Sequence, residues 1–418
     1  MLKILIPTLF FLALGVLSAS AQSGNYNRCE IKRIEDIGRF EQWLNSKRIE
    51  SSRQSTTTVY TIPIVVHVLF HADDEVGEGF NFSTERIRQQ IKTLNEDFRR
   101  KENTPGFNTN PDGGDARIEF VLAQVDPDGN PTDGIVRVNM SSVHLPPDTT
   151  AGDAISAFAR YSYWNPDQYL NIWCVETGLP PGTLLGSARF PISDLEGLPT
   201  SQPEGDGVFI NALNFGRGET NTDPHYNMGR TLTHEIGHFF GLLHIWGNNT
   251  GNCGEHGDYC NDTPPADSPT DGCPALKSMA CNGKPKMIEN YMDYSYDQCM
   301  NIFTNDQISR MHAVLENSPH RKSLTTSVIT GVQNNVVHDI EIYPNPATDT
   351  IHITVDEKIM GNDIRISGHT LLGQRLFEKS FTLTTTKIEI PVSEIKENVI
   401  VLTIETADLS NRKLLLMN

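Results

Sequence analysis

HEIGHFFGLLH, residues 234–244, sets His234 and His238 four positions apart. On a helix that spacing projects two imidazoles from one face, a turn apart, as two ligands of one tetrahedral zinc require. Gly241 can break the helix and turn the chain, so that His244 returns as a third ligand. Three neutral imidazoles leave a fourth position for water, the arrangement of a catalytic rather than a structural zinc. Glu235 is offset on the helix and can reach that water as a general base without ligating. A bare His-Glu-x-x-His arises by chance in unrelated chains, whereas the extended form fixes five positions, three of them histidine.

The extended motif matches the metzincin pattern, which also needs a methionine turn beneath the metal, and Asn290-Tyr291-Met292-Asp293-Tyr294 supplies it through Met292. Upstream, the β-branched run from Thr61 to Phe70 reads as a buried strand. Ser83 or Thr84 can cap a helix whose apolar stripe is Ile87, Ile91, Leu94 and Phe98. Further strands are expected at 118–125, 169–175, 184–190 and 207–210. Together these predict an α/β (α+β) catalytic domain, with a twisted mixed sheet, a long zinc-binding helix and the methionine turn.

The chain has 418 residues, 52 acidic against 34 basic, for a net charge of −18. That balance argues against a nucleic-acid partner. Lys3, the apolar run Ile4 to Leu17 and Ala19-Ser20-Ala21 read as a signal peptide over residues 1–21, cut before Gln22. The run is too short for a stable membrane span, no later segment is apolar enough for one, and the mature protein is expected to be secreted. Seven cysteines fit an oxidising compartment, and five crowd between 253 and 299 as in a stapled, loop-rich region. Residues 22–52 are polar and weakly periodic and read as a removable pro-segment. The catalytic domain is expected over 53–322 and a linker over 323–337. Residues 338–418 turn all-β, with short alternating runs at 351–355, 363–366, 387–390 and 399–404, the signature of a small β-sandwich.

The chain resembles the pappalysin family of metzincins, from about Cys29 to Met311. The resemblance is carried by YLNIW at 169–173, the histidine helix, GDYCNDTP at 257–264, NYMDY at 290–294 and FTNDQISRM from Phe303. It implies a protein or peptide substrate lying in a cleft, antiparallel to an edge strand over residues 184–191. It implies that Tyr294 stabilises the tetrahedral oxyanion. It also makes Asp297 the acidic floor of the pocket that takes the side chain after the scissile bond, selecting Arg or Lys. Asp258, Asp262 and Thr263 fall in a stretch resembling the family's calcium loop, with ordinary turn chemistry as the alternative. The resemblance suggests disulfides Cys253–Cys281 and Cys273–Cys299, with a Cys253–Cys260 bridge left open and Cys174 a buried thiol. Cys29 would occupy the water position of the zinc and keep the enzyme latent, and autolysis between Ser52 and Arg53 would release it.

Ile342-Tyr343-Pro344-Asn345-Pro346-Ala347 opens a stretch similar to the sorting domain of the type-nine secretion system, although Asn398 to Leu402 lack its usual Gly-Tyr-x-Leu pattern. That implies an outer-membrane secretion machinery as partner. A zinc endopeptidase is the leading reading. An inactive zinc-binding adhesin would lack need for Glu235 and Tyr294, and an aminopeptidase would not need an open cleft.

Overall fold

A computed structural model describes residues 29, 37–51, 58–71, 74–141, 151–176, 184–193, 195, 205–217, 224–247, 253, 257–326 and, with short gaps, 341–416. The expected signal peptide, the Ser52–Arg53 bond and residues 327–337 of the expected linker lie outside these.

Helix α1 (Ile37–Ser51) comes first, followed by strand β1 (Tyr60–Phe70), helix α2 (Thr84–Phe98), strands β2 (Ile118–Leu122) and β3 (Ile135–Asn139), and helix α3 (Ala151–Ala159). Strands β4 (Leu170–Val175), β5 (Gly186–Ala188) and β6 (Gly207–Asn211) precede the histidine helix α4 (Arg230–Phe239), then α5 (Asn305–Asn317) and α6 (Arg321–Thr326). One sheet runs β2-β1-β4-β6-β5, with β3 beside β2 on the same edge of the long strand β1. Every pairing is parallel except β5 on β6, which makes β5 an antiparallel edge. Because β1 is covered on both faces its sequence is apolar almost throughout, as a parallel strand requires. The expected mixed sheet is therefore present.

Ser83 caps α2 by accepting the Arg86 N–H at 3.1 Å, and Ile87, Ile91, Leu94 and Phe98 enter the main core with Leu232 and Ile236 of α4. The sheet, α2 and α4 thus share one apolar layer, and that layer fixes the histidine helix. Strand β3 and helix α3 add to the expected elements. β3 is half-exposed along its length, so no buried pattern marks it.

The segment read as a pro-segment contains helix α1, which buries Phe40, Trp43 and Leu44 against Phe190, Leu243 and Val314. Its stripe is narrow and its remaining surface polar, so its stability comes from docking and not from its own pattern. Helix α6 also carries the catalytic fold past residue 322 into the expected linker, with Leu324 buried in the main core.

The C-terminal strands are β7 (Glu341–Tyr343), β8 (Thr350–Thr354), β9 (Asp363–His369), β10 (Arg375–Thr382), β11 (Lys387–Pro391), β12 (Val399–Glu405) and β13 (Ser410–Leu416). They form two antiparallel sheets, β10-β9-β12-β13 and β11-β8-β7, closing on Ile351, Ile353, Ile364, Ile366, Ile390 and Ile404. Among the described residues no helix is long and apolar enough to cross a membrane.

Candidate metal centre and active site

Helix α4 ends at Phe239, and Gly241 takes a left-handed conformation at φ +87° where a side chain would meet Val314. That turn returns His244 to the face carrying His234 and His238. The Nε2 atoms of His238 and His234 lie 3.0 Å apart, and those of His238 and His244 3.1 Å. His234 Nδ1 meets the carbonyl of Tyr291 at 2.6 Å and His238 Nδ1 that of Leu242 at 2.7 Å. A carbonyl can only accept, so both Nδ1 atoms carry the proton and both Nε2 atoms present bare lone pairs. Two lone pairs at 3.0 Å repel unless a cation sits between them. The spacing is close to the edge of a tetrahedron with zinc–nitrogen bonds of about 2.0–2.1 Å. Burial holds His234 down at about 4, and burial with neighbouring imidazoles holds His238 and His244 well below their usual range. All three are neutral at pH 7, as ligands must be. The chain's own donors fit zinc.

Cys29 completes the cluster. Its sulfur and the three imidazole nitrogens all lie within 4.8 Å of one another, and among the described residues no other such group occurs. The thiol contacts Glu235 Oε2 at 3.2 Å, while Tyr294 Oη accepts from Cys29 N–H at 3.2 Å and donates to its carbonyl at 3.1 Å. Cys29 also forms a parallel bridge with Gly186 of β5. Only glycine fits at 186, because a Cβ there would stand 2.7 Å from Glu235 Cγ. Burial pushes the Glu235 carboxyl up to about 8, against the lowering effect of Cys29, and its Oε1 has no hydrogen-bond partner.

Met292 is fully buried beneath this arrangement, and a Cβ on Gly237 would come within 2.5 Å of its sulfur. The ring of Tyr294 packs 4.9 Å from His244 and 4.8 Å from Trp246. Asp297 lines the same pocket as Cys29, His234, Glu235 and Tyr294. Its Oδ2 accepts the N–H of Met228 at 2.8 Å and of Arg230 at 3.2 Å. Burial raises its carboxyl to about 6, partly offset by the Arg230 guanidinium.

Other residues singled out by the sequence sit apart from this pocket. The Thr263 hydroxyl donates to Asp258 at 2.7 Å, and Asp262 accepts the Asp306 N–H at 2.8 Å on the first turn of α5. These contacts are turn and helix-cap chemistry, and they leave Asp262 Oδ1 buried without a hydrogen-bond partner. Cys253 is bonded to Cys281 and Cys273 to Cys299, with Cα separations of 5.8 and 6.0 Å. Cys174 and Cys260 are buried thiols, so the Cys253–Cys260 alternative is absent.

Two buried networks had no signal in the motif. Asp97 of α2 accepts from Arg230 Nη2 at 3.1 Å and from Thr233 Oγ1 at 2.8 Å, clamping the start of α4. Arg310 of α5 donates to the Gly241 carbonyl at 2.5 Å and pairs with Glu41 of α1 through both carboxylate oxygens. Their partners lie far apart in sequence, so no local spacing marks them.

A family model described as pregnancy-associated plasma protein-A matches residues 153–316. An extracellular metalloprotease of Arthroderma gypseum is 33% identical over 263 residues, which is 63% of this chain and 76% of the relative. The chain belongs to the pappalysin family of metalloproteases. Mature mirolysin of Tannerella forsythia, solved with a cleaved peptide, is 36% identical to this pappalysin at a TM-score of 0.56, covering 66% of this chain and 99% of that one. Promirolysin of the same organism is 33% identical at a TM-score of 0.57, covering 71% and 97%. A second family model, described as a secretion system C-terminal sorting domain, matches residues 341–417 of the pappalysin. The protein is a secreted zinc metalloendopeptidase that acts on peptide substrates.

Proposed function

We propose that this pappalysin is a latent endopeptidase, silenced by Cys29, which after release of the segment over 22–52 cuts peptide bonds before Arg or Lys. The observation that carries the reading is the Cys29 sulfur lying among the three imidazoles and against Glu235, with the Tyr294 hydroxyl occupied by the Cys29 backbone. One residue thus engages every group the reaction needs.

His234, His238 and His244 would hold a zinc that polarises the scissile carbonyl and acidifies water. With Cys29 gone, Glu235 takes a proton from the attacking water and returns it to the departing amine. The freed Tyr294 hydroxyl donates to the developing oxyanion. Substrate lies along β5 antiparallel to it, and its next side chain enters the pocket toward Asp297, whose charge pairs with a guanidinium or ammonium. Met292 supports the helix from below. Residues 1–21 would act as signal peptide, autolysis between Ser52 and Arg53 would start the mature chain, and the C-terminal sandwich would address the protein to an outer-membrane secretion machinery. Asp258, Asp262 and Thr263 would supply oxygen ligands to a calcium ion in the loop after the histidine helix.

Mass spectrometry of peptide termini from a digested proteome tests it, with Glu235→Ala and a chelator as controls. Internal cuts with Arg or Lys after the bond support it, and a preference for apolar residues there refutes the role of Asp297. Absence of proteolysis by the processed protein refutes the endopeptidase mechanism.

A further inference from the structure

The pocket around Asp297 offers more acceptors than one carboxylate, and their bearing on specificity rests on reading Asp297 as the acceptor of a basic side chain. Both Met228 and Arg230 donate backbone N–H groups to Asp297 Oδ2, which saturates that oxygen and leaves Oδ1 for a substrate. Arg230 does not turn its guanidinium to Asp297, because Asp97 holds it at 3.1 Å. A single carboxylate oxygen is a poor match for a guanidinium, whose five N–H donors spread in a plane. An ammonium, with three donors on one atom, needs fewer acceptors.

Among the oxygens of this pocket's lining residues, Glu235 Oε1, Asp293 Oδ2 and the hydroxyls of Thr231 and Ser295 have no hydrogen-bond partner, and the two hydroxyls are the neutral ones. Thr231 Oγ1 and Ser295 Oγ are both buried and accept or donate no hydrogen bond within the protein, and both residues line the pocket with Asp297. Their relative exposures are 6% and 0%. Buried hydroxyls are normally satisfied, so a pair left open in a pocket that also holds the half-committed carboxylates of Asp293 and Asp297 points to a ligand that brings donors. The two come from the helix that carries the histidines and from the residue after Tyr294, so they are placed by the same elements as the chemistry.

We propose that Thr231 and Ser295 are specificity-determining residues, which accept N–H bonds from a substrate guanidinium and make the pocket select Arg over Lys. Asp297 supplies the charge, and the two hydroxyls supply the count and spread of acceptors.

The test uses the processed enzyme and peptides differing only in Arg or Lys after the scissile bond, comparing kcat/KM for wild type, Ser295→Ala and Thr231→Val. Each variant is first checked for zinc content and circular dichroism, and either one suffices if the other fails to hold metal. Each hydroxyl lost should lower kcat/KM for Arg about tenfold, the effect of one hydrogen bond to a charged group, and for Lys by about threefold or less. Equal losses on both peptides would assign the hydroxyls to packing, and no loss on either would assign them to water; both results overturn the proposal. A wild type with no preference for basic residues would instead overturn the reading of Asp297.

Discussion

Replacing Glu41 by Gln keeps the shape of the α1 anchor and removes its charge. Arg310 and Glu41 are buried almost completely, with side-chain exposures of 1% and 4%, and Arg310 also holds the Gly241 carbonyl at the turn that returns His244. The guanidinium cannot leave without breaking that turn, so the neutral variant strands a buried cation. Such a loss costs about 3–5 kcal/mol, and Gln retains one acceptor, which favours about 3. If α1 docking holds Cys29 in place, the undocked fraction of the latent form rises by about 150-fold. The assay is alkylation of Cys29 in the zinc-loaded full chain carrying Glu235→Gln to prevent autolysis, with the labelled peptide identified by mass spectrometry. Labelling should accelerate by about two orders of magnitude. A rate within about threefold of the parent would refute coupling between α1 and the Cys29 seat.

Asp97→Ala leaves Arg230 buried without its partner and should cost about 3–5 kcal/mol in urea unfolding of the inactive Glu235→Ala protein. Gly237→Ala drives a methyl into Met292 and should cost about 1–3 kcal/mol in the same measurement while weakening zinc retention on dialysis. Asp297 titrates near 6 through burial, with Arg230 and Asp97 as the charged groups around it. Its raised value means that the carboxylate is present above about pH 6 and lost below it. The kcat/KM ratio for Arg over Leu after the scissile bond should therefore fall as pH drops through about 6, and a flat ratio from about pH 5 to 8 would contradict this. Chelation should abolish cleavage and lower Tm, since the facing imidazole lone pairs then lack their cation, and added zinc should restore both.

What was legible in the sequence was local. The histidine spacing, the β1 run and the α2 stripe each state their geometry within about a dozen residues, and each took its expected form. The fold class followed from them. Helix α1 is hidden in the sequence because its three buried anchors gain their meaning from Phe190, Leu243 and Val314, which lie far along the chain. Short, half-exposed β3 carries too little alternation to stand out. In the pocket, Asp297 could be named by its distance from Met292, but the open hydroxyls of Thr231 and Ser295 could not. An unsatisfied oxygen is a property of packing, and nothing in a serine or threonine announces it.

The parallel bridge between Cys29 and Gly186 bears on the residue just before that cysteine, Arg28. A bond ahead of an arginine is the very kind this protease is proposed to cut, and in sequence this one directly precedes the cysteine that lies among the three imidazoles. A substrate is proposed to run the other way along β5, so the latent chain at Cys29 presents its amides and carbonyls with reversed polarity. Chain direction at Cys29 then acts as protection for the residue that restrains the enzyme. The same residues written in the opposite order would be food.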